Sequence, residues 1–124
     1  MTFCTTINCM DGRVQLPVIK FLQQRFEAEY VDSVTEPGPI KAMAEDQDSA
    51  MVASIRERVD ISIYKHGSAA LAIVAHYDCA GNPLPEDDQL AQLKEAVALA
   101  RRNWPQATVI GLWVDKQWQV SEVY

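Results

Sequence analysis

Residues 69–75 read Ala-Ala-Leu-Ala-Ile-Val-Ala, an unbroken apolar run that decides the fold class. Successive side chains of a strand point to opposite faces, so a strand of apolar residues alone is one that is buried on both faces. Such strands occur in parallel sheets that helices cover on both sides. The run therefore predicts a central parallel strand of an α/β protein.

The segments on either side of this run alternate between strand and helix patterns. Further strands are predicted over residues 2–8, 30–35, 108–114 and, as an antiparallel edge, 118–123, and amphipathic helices over 15–29, 48–65 and 86–103. The stretch Glu36-Pro37-Gly38-Pro39 predicts a turn or loop. The order β-α-β-α-β-α-β-β predicts a three-layer α/β/α sandwich, with a mostly parallel sheet of four strands plus an antiparallel edge strand.

Composition narrows the class of function. A length of 124 residues predicts a single domain over 1–124. The net charge of −6 argues against a nucleic-acid partner, because phosphate contacts need a basic surface. No apolar run approaches the roughly 20 residues that cross a bilayer, and no signal-peptide pattern is seen. We therefore expect no membrane partner. The chain has three cysteines, an odd number that fits a reducing compartment better than a disulfide framework, so a cytoplasmic location is predicted.

Two short segments carry the candidate chemistry. Cys9-Met10-Asp11-Gly12-Arg13 follows the first predicted strand, and His76-Tyr77-Asp78-Cys79 follows the third. If those strands are neighbours, the two segments meet at the carboxyl edge of the sheet, where α/β proteins bind ligands. Two thiolates and one imidazole are a ligand set that suits Zn²⁺, with a fourth position for water or a carboxylate.

The pattern Cys-x-Asp-x-Arg, followed by His-x-x-Cys at the end of a later strand, resembles the β-class carbonic anhydrases. The predicted order of strands and helices matches the core of that family, so the resemblance spans nearly the whole chain. It implies that Cys9, His76 and Cys79 bind zinc, and that Asp11 and Arg13 form the catalytic dyad. It further implies a lyase that interconverts CO₂ and bicarbonate through a zinc-bound hydroxide, in a homodimer or higher homo-oligomer.

Three departures from the family pattern affect the expected pocket. Ala80 separates Cys79 from Gly81, where the family has glycine directly after the cysteine. The loop after the second strand is Glu36-Pro37-Gly38-Pro39 in place of an Asn-Ala-Gly-Asn type. Only eight residues precede Cys9, so we expect no counterpart of the family's N-terminal helical arm.

Other interpretations of the same residues stay open at this point. If Asp11 is a permanent fourth ligand, the site is closed and the protein is a non-catalytic zinc protein. A related zinc hydrolase acting on CS₂ or COS would use the same ligands. A thiol redox protein using Cys4 and Cys9 is disfavoured, because the chain has no Cys-x-x-Cys motif.

The remaining conspicuous residues have structural interpretations. Cys4 is predicted to be a core residue, and His66 to stabilise the end of its helix. Asp78 is interpreted as a loop-capping residue. The tryptophans are predicted to be core or interface anchors; they are Trp104, Trp113 and Trp118.

Overall fold

The computed structural model describes residues 2–124 and contains one five-stranded sheet. The strands are β1 (Phe3–Cys9), β2 (Tyr30–Glu36), β3 (Ala70–His76), β4 (Thr108–Val114) and β5 (Val120–Glu122). Their order is β2-β1-β3-β4-β5, with β5 antiparallel to β4 and every other neighbouring pair parallel. The predicted mostly parallel sheet with an antiparallel edge is therefore confirmed.

Helices cover both faces of this sheet. They are α1 (Gln15–Phe26), α2 (Pro39–Glu45), α3 (Ala50–Lys65) and α4 (Glu86–Asn103), and a short 3₁₀ turn precedes α1 at Gly12–Val14. One core cluster contains apolar residues of α2, α3 and α4, and the other contains those of α1. The three-layer α/β/α sandwich is confirmed. None of the helices within residues 2–124 combines the length and hydropathy that a membrane span requires.

Strand β3 is buried along its whole length, as its sequence predicts. Leu71, Ile73 and Ala75 enter the cluster under α2, α3 and α4, whereas Ala70, Ala72 and Val74 enter the cluster under α1. The strict alternation of faces explains why the strand has no polar residue before His76.

Several predicted boundaries were wrong. Strand β1 covers Phe3–Cys9 rather than residues 2–8, and β2 ends at Glu36 rather than at residue 35. Helix α1 ends at Phe26 and not at residue 29, because Glu27 adopts a left-handed conformation with φ 52° that ends the helix. Helix α3 begins at Ala50 rather than near residue 48. Ser49 caps this helix, because its side chain accepts a hydrogen bond from the Val52 N–H. Strand β5 covers only Val120–Glu122, because a turn occupies the start of the predicted strand at 118–123.

Helix α2 was not predicted from the sequence. Its seven residues begin with Pro39, a favourable first helical residue, after Gly38 in a left-handed conformation. Ile40 and Met43 are buried at helical spacing. A helix this short leaves little periodicity to detect, and its stability depends on packing against the rest of the fold.

Strands β1 and β3 are direct neighbours, paired at Thr5–Leu71 through Ile7–Ile73. The chain order reverses here, because β2 lies beyond β1 while β4 lies beyond β3. The segments that leave the carboxyl ends of β1 and β3 therefore emerge side by side at this switch point.

Candidate metal centre

Cys9, His76 and Cys79 converge at the carboxyl ends of β1 and β3. Their ligand atoms all lie within 4.8 Å of one another, and no carboxylate of residues 2–124 belongs to this group. The side chains are buried, with exposures of 4%, 1% and 4%. The structure thus brings together the three residues predicted as metal ligands.

The ring of His76 is oriented by its own loop. Its Nδ1 lies 2.7 Å from the Tyr77 carbonyl oxygen, a contact in which Nδ1–H donates. Its Nε2 is buried and has no hydrogen-bond partner. A backbone carbonyl that holds one ring nitrogen leaves the other with a free lone pair, which is the usual arrangement of a metal-binding histidine.

The two sulfur atoms have a spacing that suits a shared cation. Cys9 Sγ and Cys79 Sγ lie 3.9 Å apart. Two thiolates on a tetrahedral zinc, each about 2.3 Å from the metal, would be about 3.8 Å apart. Together with the unpartnered Nε2 of His76, this spacing means that the residues present fit a tetrahedral metal ion.

The electrostatics of the group favour one thiolate beside one thiol. Hydrogen bonding from Cys79 lowers the pKa of Cys9, and the same interaction raises the pKa of Cys79. Burial lowers the pKa of His76, but hydrogen bonding to Cys9 and to the Tyr77 carbonyl, with the charges of Cys9 and Asp11, together raise it above its ordinary value. A cation bound here would displace the shared proton, so metal binding at this site is expected to release protons.

A backbone N–H also stabilises the Cys9 sulfur, and its position depends on two glycines. The Gly38 N–H donates to Cys9 Sγ over 3.5 Å. A Cβ on Gly38 would lie 2.7 Å from Asn82 Cβ, and one on Gly81 would lie 2.6 Å from the Pro37 carbonyl carbon. The loops after β2 and β3 therefore touch backbone to backbone, at a distance that only glycine allows.

Amide side chains hold the two ligand loops in place. Gln15 Nε2 donates to the carbonyl oxygens of Cys9 and Asp11, over 2.7 and 2.9 Å. Gln89 Nε2 donates to the carbonyl oxygen of His76 over 2.9 Å. Neither glutamine was predicted from the sequence, because a glutamine on a helix has no distinctive local pattern.

A third amide network runs from α2 to the loop that carries Cys79. Asn82 Nδ2 donates to Gln92 Oε1 over 2.7 Å, and Gln92 Nε2 donates to Glu45 Oε1 over 3.0 Å. Asn82 and Gln92 are buried. Their hydrogen bonds tie the missed helix α2 to the candidate site.

Asp11 and Arg13 form the bidentate pair that the motif predicts. Arg13 Nη2 and Nε lie 2.7 and 3.2 Å from Asp11 Oδ2, and Nε also lies 3.1 Å from Oδ1. The hydrogen bonds from Arg13 lower the pKa of Asp11 to about 2. The carboxylate is therefore ionised at physiological pH and can only accept hydrogen bonds.

Asp78 is more than a loop cap. Its side chain accepts a hydrogen bond from Arg13 Nη1 over 3.2 Å, and its carbonyl oxygen accepts one from Nη2 over 3.1 Å. Asp78 adopts φ 57°, a left-handed conformation that is uncommon for residues other than glycine. Arg13 thus joins the loop after β1 to the loop after β3.

A cavity of about 650 Å³ borders the site on the Cys79 side. Its walls come from the loop after β3, the start of α4 and the turn between β4 and β5; they include Tyr77, Leu84, Trp113 and Lys116. Cys79 also lines this cavity, so the cavity reaches one of the predicted ligands.

The other residues interpreted as structural lie in the core, at a helix end or partly buried against the core. Cys4 is fully buried in the α1 cluster, as predicted. Trp104 and Trp113 are buried in the cluster under α2, α3 and α4. Trp118 is only partly buried and packs against the α1 cluster. His66 ends α3, where its Nδ1 lies 2.6 Å from Asp32 Oδ2.

Comparison with known proteins places the chain in a family. Curated proteins give no significant match. A family model described as "Putative carbonic anhydrase" matches residues 1–124, the whole sequence. The match agrees with the resemblance seen in the two motifs. The chain therefore belongs to this carbonic anhydrase-like family.

Proposed function

We propose that the protein is a zinc-dependent, carbonic anhydrase-like lyase that interconverts CO₂ and bicarbonate. One observation carries the proposal: two sulfur atoms 3.9 Å apart share a buried pocket with an unpartnered imidazole nitrogen, in a member of this family. Cys9, His76 and Cys79 would hold the zinc. When bound by three protein ligands, zinc supplies Lewis acidity that can lower the pKa of water to about 7.

Asp11 is proposed to orient the reacting water. Its carboxylate accepts hydrogen bonds only, because its pKa is lowered to about 2. It can accept one from the water and so direct an oxygen lone pair toward the carbon of CO₂. The released proton does not remain on Asp11, since so weak a base transfers it to solvent. Arg13 fixes the direction of the carboxylate through its bidentate contact.

The contact between Asp11 and Arg13 supports an open fourth position over the closed alternative. A permanent fourth ligand would lie with the other three, but no carboxylate of residues 2–124 belongs to that group, and the Asp11 carboxylate is held by Arg13 instead. An open position is what catalytic zinc sites have, whereas structural sites are closed. Hydrolysis of CS₂ or COS would use the same arrangement and remains the competing enzyme hypothesis.

The test is stopped-flow hydration of CO₂ by the zinc-loaded protein. We expect activity in the natural sequence, and loss of both zinc and activity in Cys79→Ala. Cys4→Ala removes an equally buried thiol outside the site and should keep both. Stoichiometric zinc without CO₂ hydration would reject the proposal. Turnover of CS₂ or COS by that same protein would then favour the hydrolase.

Two wider expectations belong to the same proposal. We propose a cytoplasmic location, which suits three cysteines that are all free. We also propose a homodimer or higher homo-oligomer, as the family resemblance implies. Light scattering of the zinc-loaded protein tests the second expectation, since a monomer at all concentrations would contradict it.

A further inference from the structure

The turn between β4 and β5 reaches back over the candidate site. Arg13 Cζ lies 4.4 Å from the ring centroid of Trp118, which is a cation–π contact. Trp118 comes from a part of the chain more than 100 residues away from Arg13 in sequence. Arg13 therefore receives a contact from a third loop, in addition to those carrying Asp11 and Asp78.

The contacts around Arg13 are of two kinds. Asp11 and Asp78 accept hydrogen bonds from the nitrogen atoms of the guanidinium. The Cζ atom lies over the Trp118 ring. Hydrogen bonds from the nitrogen atoms leave the guanidinium some freedom to tilt, and an aromatic ring against Cζ restricts that motion.

The turn itself is built to present Trp118. The Asp115 side chain accepts hydrogen bonds from the N–H groups of Gln117 and Gln119, over 2.8 and 3.0 Å. The Trp118 N–H donates to the Asp115 carbonyl oxygen over 2.9 Å. Trp118 adopts φ 61°, which is an outlier for a bulky residue. Strain of this kind persists where surrounding contacts impose it, and it is concentrated at functional sites.

We propose that Trp118 is a positioning residue for the reaction at the candidate metal centre. It holds the Arg13 guanidinium at a fixed tilt, and through Arg13 it fixes the direction of the Asp11 carboxylate. It acts without touching substrate or metal. The inference rests on the proposed function, because it assigns Trp118 a part in orienting the reacting water.

Two variants separate the ring from its bulk. Trp118→Phe keeps an aromatic face over Arg13, whereas Trp118→Leu keeps an apolar side chain without one. In the zinc-loaded protein we expect Trp118→Leu to lower kcat by about 3- to 30-fold, the range of a cation–π contact, with KM changed less than about 2-fold. Trp118→Phe should recover most of the lost kcat. Zinc content should stay the same in both.

A second readout does not depend on activity. The indole ring should shift the Arg13 Nε–H signal in a ¹H–¹⁵N spectrum, and that signal can be assigned by its loss in Arg13→Lys. We expect the ring-induced shift to persist in Trp118→Phe and to vanish in Trp118→Leu. If Trp118→Leu does not fold, Trp118→Gly replaces it, because glycine adopts the positive φ of this turn without strain.

The outcomes are distinct. Equal kcat in the Leu and Phe variants, or an Arg13 signal that does not change in Trp118→Leu, would overturn the inference. Loss of zinc and of thermal stability in parallel with kcat would assign Trp118 a merely structural role and would also overturn it. If the natural sequence hydrates no CO₂, the proposed function fails, and the Arg13 signal still decides whether Trp118 holds Arg13.

Discussion

The two ends of the sheet each hold a histidine among polar side chains, and the two groups differ in how they are satisfied. At the amino end, His66 Nδ1 lies 2.6 Å from Asp32 Oδ2, and the Ser62 hydroxyl donates to the same oxygen over 2.7 Å. The His66 ring stacks on Phe3, with centroids 4.5 Å apart, and 43% of its side chain is exposed. This group is complete without a ligand.

At the carboxyl end, His76 is 1% exposed and its Nε2 has no partner. Two cysteine sulfurs lie within 4.8 Å of its ligand atom, and hydrogen bonding from Cys79 lowers the pKa of Cys9. A buried unpaired acceptor is costly unless something completes it. The two histidines therefore differ in their partners: His66 completes a hydrogen-bond network, whereas His76 keeps a lone pair that a cation can use.

Replacing each histidine separately by glutamine should give the largest difference between the two ends, and that difference is in zinc affinity. His76→Gln removes a proposed ligand, so we expect zinc affinity to fall by more than about 100-fold, beyond the loss seen when only a partner of a ligand is changed. His66→Gln should bind zinc like the natural sequence. Competition with a chromophoric chelator measures both. Equal affinities would remove the distinction between the two ends.

The glycines near the carboxyl end offer a test of its tight packing. Gly81→Ala places a Cβ 2.6 Å from the Pro37 carbonyl carbon, so it should lower the free energy of unfolding by about 1–3 kcal/mol. It should also weaken zinc binding, because it moves the Gly38 N–H away from Cys9. Gly12→Ala is the matched control, since a Cβ there meets nothing within 4 Å. Urea denaturation that gave equal losses for both would contradict the proposed contact.

Cys4, near the amino end of the sheet, should make the free energy of unfolding depend on pH in the alkaline range. Burial first, and then the charge of Asp32, raise the pKa of Cys4 from 9.0 to about 11. The folded protein thus holds this proton more tightly than the unfolded chain, so the contribution is complete below pH 9 and is lost as pH rises toward 11. The loss amounts to up to about 3 kcal/mol in the free energy of unfolding.

Urea denaturation from pH 8 to 11 measures this effect. Cys4→Ala should be less stable at pH 8 but should have a flatter decline than the natural sequence. Parallel declines in the two proteins would show that Cys4 does not titrate in this range.

The smallest expected change in stability comes from the hydroxyl network at the amino end, which consists of Ser62, Ser68 and Asp32. Ser62 and Ser68 share a hydrogen bond of 2.7 Å, and both are buried. Ser62→Ala removes that bond and the one to Asp32, and it should cost about 1 kcal/mol in the free energy of unfolding. Zinc affinity should not change, because the network lies at the opposite end of the sheet. A change in zinc affinity would mean that the two ends are coupled.

The parts of the fold and site that could be predicted are those encoded by a short, continuous stretch of sequence. The apolar run of β3 and the two motifs could be read directly, because each is a short pattern at the end of a strand. Helix α2 and the contact between Gly38 and Gly81 could not, since both depend on packing between distant segments. Trp118 was expected to be a core or interface anchor, because no local pattern shows which side chain a distant turn will cover.

X-ray absorption at the zinc edge, with metal analysis of the same zinc-loaded sample, decides whether zinc binds here with an open fourth position. We expect about one zinc per chain with two sulfur neighbours at about 2.3 Å, one imidazole nitrogen and one further light atom. We also expect this shell to be unchanged in Asp11→Asn, because Asp11 is not a proposed ligand. Zinc below stoichiometric amount, fewer than two sulfur neighbours, or a shell altered by Asp11→Asn would contradict the proposed open site.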